Sequence, residues 1–342
     1  MPTKVPLPHG AQLIFYDKMK ILAKHLGCFV DYGQLRGIPV RELRTVMKSP
    51  PDFADADAKV SVTDFYAVVQ HLSLTLNDPL MGIHVGQCLN LNTLGAIYRI
   101  SLKATTNQEA LHYCQSYLQK TFPNITIHNA TAGRTATISV GLPPGHETIT
   151  RYILETILTV MAREIAIISG EDINVKLSSP HHTRDYPPAW KKGTTFEIKF
   201  NQTLLKAAVQ DNTRWGLDLL IPEYLALIES MEAQPSFGTT VKLTALRMAK
   251  PRLPALETLA GFFNLNTRTF QRRLVAENTT FRQITDNLKR DICNLLILHD
   301  RFSITDIASV LGYSEPAAFI HSFKKWHGHP PQKMRDFERV TR

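Results

Sequence analysis

Apolar positions along the chain follow one mixture of rhythms for two-thirds of its length and another thereafter. Residues 11–26, 61–76 and 107–119 repeat apolar side chains at helical spacing. Ile125 and Ile127, then Ala136, Ile138 and Val140, alternate as half-buried strands do. A turn-like stretch, Asn129–Gly133, separates them. A long apolar-rich helix is expected over 148–169, ending before Gly170, a suitable C-cap. Two more alternating runs follow, Ile173/Val175/Leu177 and Phe196/Ile198/Phe200. A loop holding His181, His182, Pro187 and Pro188 lies between them. Pro222 sits at the first turn of a helix expected over 222–232. This order of elements implies an α+β domain over 1–233. Gln234–Thr240, with Pro235, Ser236 and Gly238, has the composition of a linker. Beyond it the alternation stops, and residues 241–340 read as short helices of an all-α domain.

The last third contains a repeat. Leu256, Leu259, Ala260, Phe263 and Leu265 recur 48 residues later as Ile304, Ile307, Ala308, Leu311 and Tyr313. The first four of each set lie at i, i+3, i+4, i+7, one face of a short helix. A tight turn follows. It holds Gly312 in the second copy and Asn264 in the first, the residues best suited to a left-handed backbone. Each copy then has a second helix, anchored by Phe270/Leu274 and by Phe319/Phe323. Their offset is 49, so the second turn is one residue longer. Helix, turn, helix, twice over, predicts two helix-turn-helix units, at about 256–276 and 304–327.

Projected at 100° per residue, the first of these second helices sets Arg268 and Arg272 opposite its buried pair, with Thr269 and Gln271 on the flanks. Arg matches guanine O6/N7 and Gln matches adenine N6/N7 in a major groove. Arg273 lies nearer the buried side, where a phosphate contact is more natural. In the second copy the opposite face offers Ala317, His321 and Lys324, of which Ala317 has only apolar contact to give. A helix expected over about 281–299, with Phe281, Ile284, Leu288, Ile292, Leu295 and Leu296 apolar, joins the copies. At about 28 Å it would space them roughly one DNA turn apart, so that a monomer reads two adjacent groove segments.

Charge sharpens this picture. From Ser236 to Arg342 there are 17 Lys and Arg against 9 Asp and Glu, whereas the first 235 residues hold 22 against 21. A basic excess confined to the repeat points to nucleic acid. The 44% hydrophobic and 20% charged composition is that of a globular protein. No apolar run reaches a membrane span, and the N-terminus lacks a secretory signal. Cys28, Cys88, Cys114 and Cys293 are too widely spaced for a CxxC-type metal site and fit reduced thiols in a cytoplasm.

The segment Ile307-Ala308-Ser309-Val310-Leu311-Gly312-Tyr313-Ser314-Glu315-Pro316-Ala317-Ala318-Phe319, with Phe323-Lys324-Lys325 and Gly328-His329-Pro330-Pro331, resembles the C-terminal signature of AraC/XylS-type transcriptional regulators. Leu256 to Leu274 is similar to the first half of the same module. Asn77-Asp78-Pro79-Leu80-Met81-Gly82 and Leu94-Gly95 resemble the subgroup with an arabinose-binding-type N-terminal effector domain. The resemblance implies a bacterial, sequence-specific DNA-binding regulator, more often an activator, that contacts double-stranded DNA and RNA polymerase. It places Asn266, Thr267, Arg268, Thr269, Gln271, Arg272 and Arg273 at the first DNA face, and Ser314, Ala317, His321, Lys324 and Lys325 at the second. The family usually has Arg where this chain has His321. A neutral imidazole cannot make a bidentate guanidinium contact, so the second half-site is expected to be read less sharply.

The N-terminal domain is expected to bind a small-molecule effector, with Tyr98, Tyr113, Tyr117 and Tyr152 as lining, core or interface residues. The alternatives are that it only forms a homodimer, with helix 222–232 a candidate surface, that it contacts another protein, or that it is an enzyme domain fused to a DNA-binding module. No catalytic residue, cofactor or metal is expected. His181, His182 and Asp185 read as a solvated loop, and His327 and His329 as polar groups near the backbone. Glu155 and Glu164 need not share a face. The chain lacks a nucleophile elbow, a Gly-rich phosphate loop and an HExxH motif. A related module occurs in a DNA-repair methyl-transfer protein with zinc-bound cysteines, but the cysteine spacing here offers no such site.

Overall fold

The computed structural model describes residues 19–53, 55, 57–88, 104–169, 175–209, 236–249, 253–297 and 303–335. They fall into two compact units, one on either side of residues 210–235.

The N-terminal unit is built in chain order from β1 (Lys20–Leu22), α1 (Ala23–Leu35), α2 (Val40–Thr45), β2 (Lys59–Ser61), α3 (Val62–Leu76), α4 (Met81–Cys88), α5 (Asn107–Thr121), β3 (Thr126–Ala132), β4 (Thr135–Gly141), α6 (Glu147–Ser169), β5 (Lys176–Ser179), β6 (Trp190–Lys192), β7 (Phe196–Asn201) and α7 (Thr203–Lys206). Strands β3-β4-β7-β5-β6 form one sheet, antiparallel except for the β5–β6 pair. The alternation of Ala136, Ile138 and Val140, all buried, turns one face of β4 inward. Helix α6 packs on that sheet and on α4. Gly82 and Gly86, one turn apart on α4, permit the close approach. A Cβ at Gly82 would lie 2.4 Å from the Tyr152 carbonyl oxygen, and one at Gly86 would lie 2.6 Å from Thr159 Cβ.

Several expectations need correction here. The helical rhythm over 11–26 does not hold at its end: Lys20–Leu22 is a strand paired to β2, and the helix begins at Ala23 and runs to Leu35. Pairing of buried Ile21 with buried Val60 outweighs the local period. Asn129–Gly133 is not a turn. Strand β3 continues to Ala132, exposed at the sheet edge, and the turn contracts to Gly133 and Arg134. Strand β6 went unpredicted because only Trp190 of its three residues is buried. Strand β5 begins at Lys176, and residues 171–174 lie outside the described residues, as do helix 222–232, Tyr98 and Leu94-Gly95.

The C-terminal unit is helical: α8 (Phe237–Met248), α9 (Leu256–Phe262), α10 (Thr267–Ala276), α11 (Phe281–Ile297), α12 (Ile304–Val310) and α13 (Pro316–His327). The linker expected at 234–240 is corrected from residue 237 onward. Ser236 accepts a hydrogen bond from the Thr239 N–H and starts α8 there. The small polar residues that suggested a linker are the cap and first turn of a helix. Helix α8 packs on α9, α10 and α11, while α12 packs on α11 and α13. Phe237, Phe262, Phe263, Phe270 and Phe281 make successive ring contacts of 5.1–6.4 Å through the first half of this core.

Candidate nucleic-acid interface

Helix α10 has no acidic residue in its first turn and is opened by Asn266, whose Oδ1 accepts the Thr269 N–H at 2.8 Å. A cap of this kind contributes about 1 kcal/mol. It also commits the carbonyl oxygen of Asn266 to the helix. Phe270 and Leu274 are fully buried. Arg268, Gln271 and Arg272 are exposed on the opposite side, and Thr267 and Thr269 are half-buried. The sequence-predicted DNA face therefore stands together on one helix. Arg273 is exposed as well, with its guanidinium over the Phe237 ring, 5.6 Å from the centroid. It braces α10 against α8 by a cation–π contact.

The preceding turn holds Asn264 at φ 53, and its counterpart Gly312 lies at φ 79. Both copies therefore use the left-handed residue that the repeat pointed to. The fully buried aromatic of α9 is Phe262, with Phe263 half-buried at the C-cap. In α12 the matching Val310 and Leu311 are both buried.

Helix α13 starts with Pro316 in its first turn and buries Phe319 and Phe323 completely. Its outward side carries Ala317, His321 and Lys324, all exposed, with Lys325 and Ser314 exposed beside them. His327 stacks on Phe323 with ring centroids 4.4 Å apart. Burial, together with the nearby His329 and Arg290, holds its pKa below the ordinary histidine value. It is a packing ring rather than the backbone-proximal polar group expected.

Helix α11 joins the two helix-turn-helix motifs of the C-terminal unit. Its 17 described residues span about 25 Å. Ile284, Leu288, Ile292, Cys293, Leu296 and Ile297 are buried. Lys242 of α8 pairs with Asp291 at 3.1 Å, and the Lys289 ammonium lies 4.7 Å from the Tyr313 ring centroid. With Phe281 against Phe270, ring centroids 6.4 Å apart, the same helix touches both halves of the repeat. Burial raises the Cys293 thiol to about 12, which keeps it protonated and unreactive at neutral pH. The four cysteines form no disulfide.

The N-terminal unit holds two buried polar clusters. Asp78 Oδ2 accepts hydrogen bonds from Tyr32 and, at 2.8 Å, pairs with His84 Nδ1, while Arg36 Nη1 lies 3.3 Å away. Burial alone would raise the Asp78 carboxyl, but the hydrogen bonds and charge around it leave it below the usual aspartate value. Glu155, fully buried, accepts from Tyr186 at 2.6 Å, Ser179 at 3.0 Å and Arg151 at 3.2 Å. There burial wins and its pKa is raised. Glu155 and Glu164 are both buried on α6, which the sequence left open.

A separate cavity of about 270 Å³ is lined by Val140, Leu142, Leu154, Phe196, Thr150 and His181, among others. Of the tyrosines named from sequence, Tyr113, Tyr117 and Tyr152 do not line it. Tyr113 bonds Glu109 at 2.7 Å, Tyr117 faces His25, and Tyr152 is buried at the α4–α6 contact. His181 and Asp185 are exposed, and His182 is half-buried against Tyr186. Among the described residues no group of three or more His, Cys, Asp or Glu could hold a metal. No described helix is long and apolar enough to cross a membrane.

Comparison with known proteins agrees with this layout. A family model described as the arabinose-binding domain of AraC transcription regulators, N-terminal, matches residues 42–212, half of the chain. A helix-turn-helix domain model matches residues 259–336. The HTH-type transcriptional regulator VirS of Mycobacterium tuberculosis is 23% identical over 94% of this chain and 98% of its own length. VqsM of Pseudomonas aeruginosa, an HTH-type transcriptional regulator, is 37% identical over 83 residues, and the HTH-type transcriptional activator CfaD of Escherichia coli is 35% identical over 79. Those two matches span 26% and 30% of the relatives' lengths.

Proposed function

Because the chain belongs to the AraC family of transcription regulators, and is therefore a DNA-binding helix-turn-helix regulator rather than an enzyme, we propose that the two helix-turn-helix motifs of its C-terminal unit divide the work of recognition. Helix α10 reads bases, with Arg268 and Arg272 as donors to guanine and Gln271 bidentate to adenine. Thr267, Thr269 and the amide nitrogen of Asn266 sit where the entering helix meets the backbone, a positioning role. Helix α13 anchors: Lys324 and Lys325 neutralise phosphates, Ser314 contacts the backbone, and Ala317 and His321 add weak base preference. The observation that carries this reading is the exposure of Arg268 and Arg272 opposite the buried Phe270 and Leu274, with Gln271 exposed on the flank.

The regulator acts in the cytoplasm as an activator that positions RNA polymerase. The activator assignment draws support from the similarity to CfaD. Its N-terminal domain binds a small-molecule effector and offers the surface for a homodimer. The 270 Å³ cavity supports this reading: it sets apolar Val140, Leu142, Leu154 and Phe196 beside polar Glu147, Thr150, His181, Thr194 and Thr195, the mixed lining of a small-molecule site. An effector controls DNA affinity only by binding one conformation more tightly than the other.

The test is selection of bound duplexes from a random pool by the full-length protein at roughly physiological salt, where non-specific phosphate binding is weak. The expected result is two boxes about ten base pairs apart, the first sharper than the second. Absence of any enriched site, with or without the N-terminal domain, would overturn the reading.

A further inference from the structure

We propose that Val275 is a further specificity-determining residue, making apolar contact with a thymine C5-methyl group about three base pairs from the pair met by Arg268. The inference rests on α10 being the base-reading helix.

Val275 is 60% exposed. Among the described residues only one other large apolar side chain is comparably exposed, Leu74, in the N-terminal unit. A single exposed valine means little by itself. Its position gives it meaning. Arg268, Gln271, Arg272 and Val275 fall at i, i+3, i+4 and i+7, one face of α10. The other sides are occupied. Phe270 and Leu274 face the core. Arg273 lies on Phe237. Glu277, just past the helix end, accepts the N–H groups of Phe237 and Gly238. Helix α8 therefore covers the side of α10 away from Val275.

Packing does not require an apolar residue at this position. The repeat offset of 49 maps Val275 onto Lys324, exposed on α13. Lysine there would serve phosphate binding, and the first unit has given that up. On the floor of a major groove the one apolar feature is the thymine methyl. Seven residues of helix advance about 10.5 Å, which equals about three steps of 3.4 Å along one DNA strand. The face then reads, from its N-terminal end, hydrogen-bonding groups followed by a methyl-sized apolar contact.

The experiment replaces each thymine of the first selected box by deoxyuridine, which lacks only that methyl group. Binding of the full-length protein is measured by titration, for wild type and for Val275→Ala. One replacement is expected to weaken wild-type binding roughly threefold to fivefold, the size of one buried methyl. Val275→Ala should bind the unmodified box weaker by a similar factor and be indifferent to that replacement. The proposal is overturned if wild type tolerates every replacement, if the box holds no thymine, or if Val275→Ala keeps the wild-type sensitivity. It is also overturned if Val275→Ala binds DNA normally yet loses transcription, which would assign the residue to a protein partner. Selection of no box at all defeats the base-reading role of α10 itself. A box that depends on Arg272 but shows no methyl effect defeats only the role of Val275.

Discussion

The two halves of the C-terminal unit share an interior and differ on their outward faces. Phe270 and Leu274 in one, Phe319 and Phe323 in the other, are buried to the same degree at the same spacing. Both turns hold a left-handed residue. The outward positions, matched by the 49-residue offset, read Arg268, Gln271, Arg272, Val275 in α10 and Ala317, Ile320, His321, Lys324 in α13. Helix starts differ too. Helix α12 has a full capping box from Ser303 and Asp306, whereas α9 begins at Ala255 without a side-chain cap. The second helices reverse this: Asn266 caps α10, and α13 relies on Pro316. The difference teaches that the packing of a helix-turn-helix and its reading face are specified by separate residues, so one can be held while the other changes.

The largest effects should be alike in the two halves. Phe270→Ala and Phe319→Ala should each destabilise the C-terminal unit by about 3–5 kcal/mol, read from its melting transition in the full chain. A much smaller loss for either would break the equivalence of the cores. Binding should separate the halves. Arg272→Ala is expected to cost about 1–3 kcal/mol on the selected site, and His321→Ala less than about a third of that; equal losses would remove the division of labour. At the turns, Gly312→Ala should cost about 1–2 kcal/mol of stability, because a Cβ is placed in a left-handed backbone, while Asn264→Gly should cost nothing. Lys324→Ala should lower the slope of log affinity against log salt by about 0.9, where Val275→Ala leaves the slope unchanged. The smallest effect is a pH dependence. Burial pushes the Glu277 carboxyl up, but the backbone N–H groups of Gly238 and Phe237 more than offset this and hold it below the usual glutamate value. Its contribution is present above that usual value and fades as pH falls through the lowered one. Glu277→Gln should flatten this acid limb in a stability–pH profile.

Much of this unit was legible because its signals are local and doubled. Asn264 alone would be an ordinary turn residue; aligned with Gly312 it marks a backbone conformation. The tertiary role of other residues was not legible. The contact of Arg273 with Phe237 is one case: Phe237 lay in what read as a linker, and only the fold brings the two together. Val275 was passed over because the reading of that face followed its hydrogen-bonding side chains, and an isolated apolar residue among them offers none. In the N-terminal unit the pattern from Asn77 to Gly82 could be named but not explained. Asn77 ends α3 at φ 45, Asp78 gathers Tyr32, Arg36 and His84, and Gly82 lets α4 meet α6. Asp78 and Gly82 depend on partners from 46 residues earlier to more than 70 later, beyond any local rhythm.

The carboxylate of Glu277 also has a mechanical meaning. It ties the end of α10 to the first turn of α8 through bonds of 2.8 and 2.7 Å. Phe237, whose N–H takes one of these bonds, also packs its ring on Phe263 and Phe270, so the chain entering at Ser236 is riveted at once to the end of α10 and to the aromatic core.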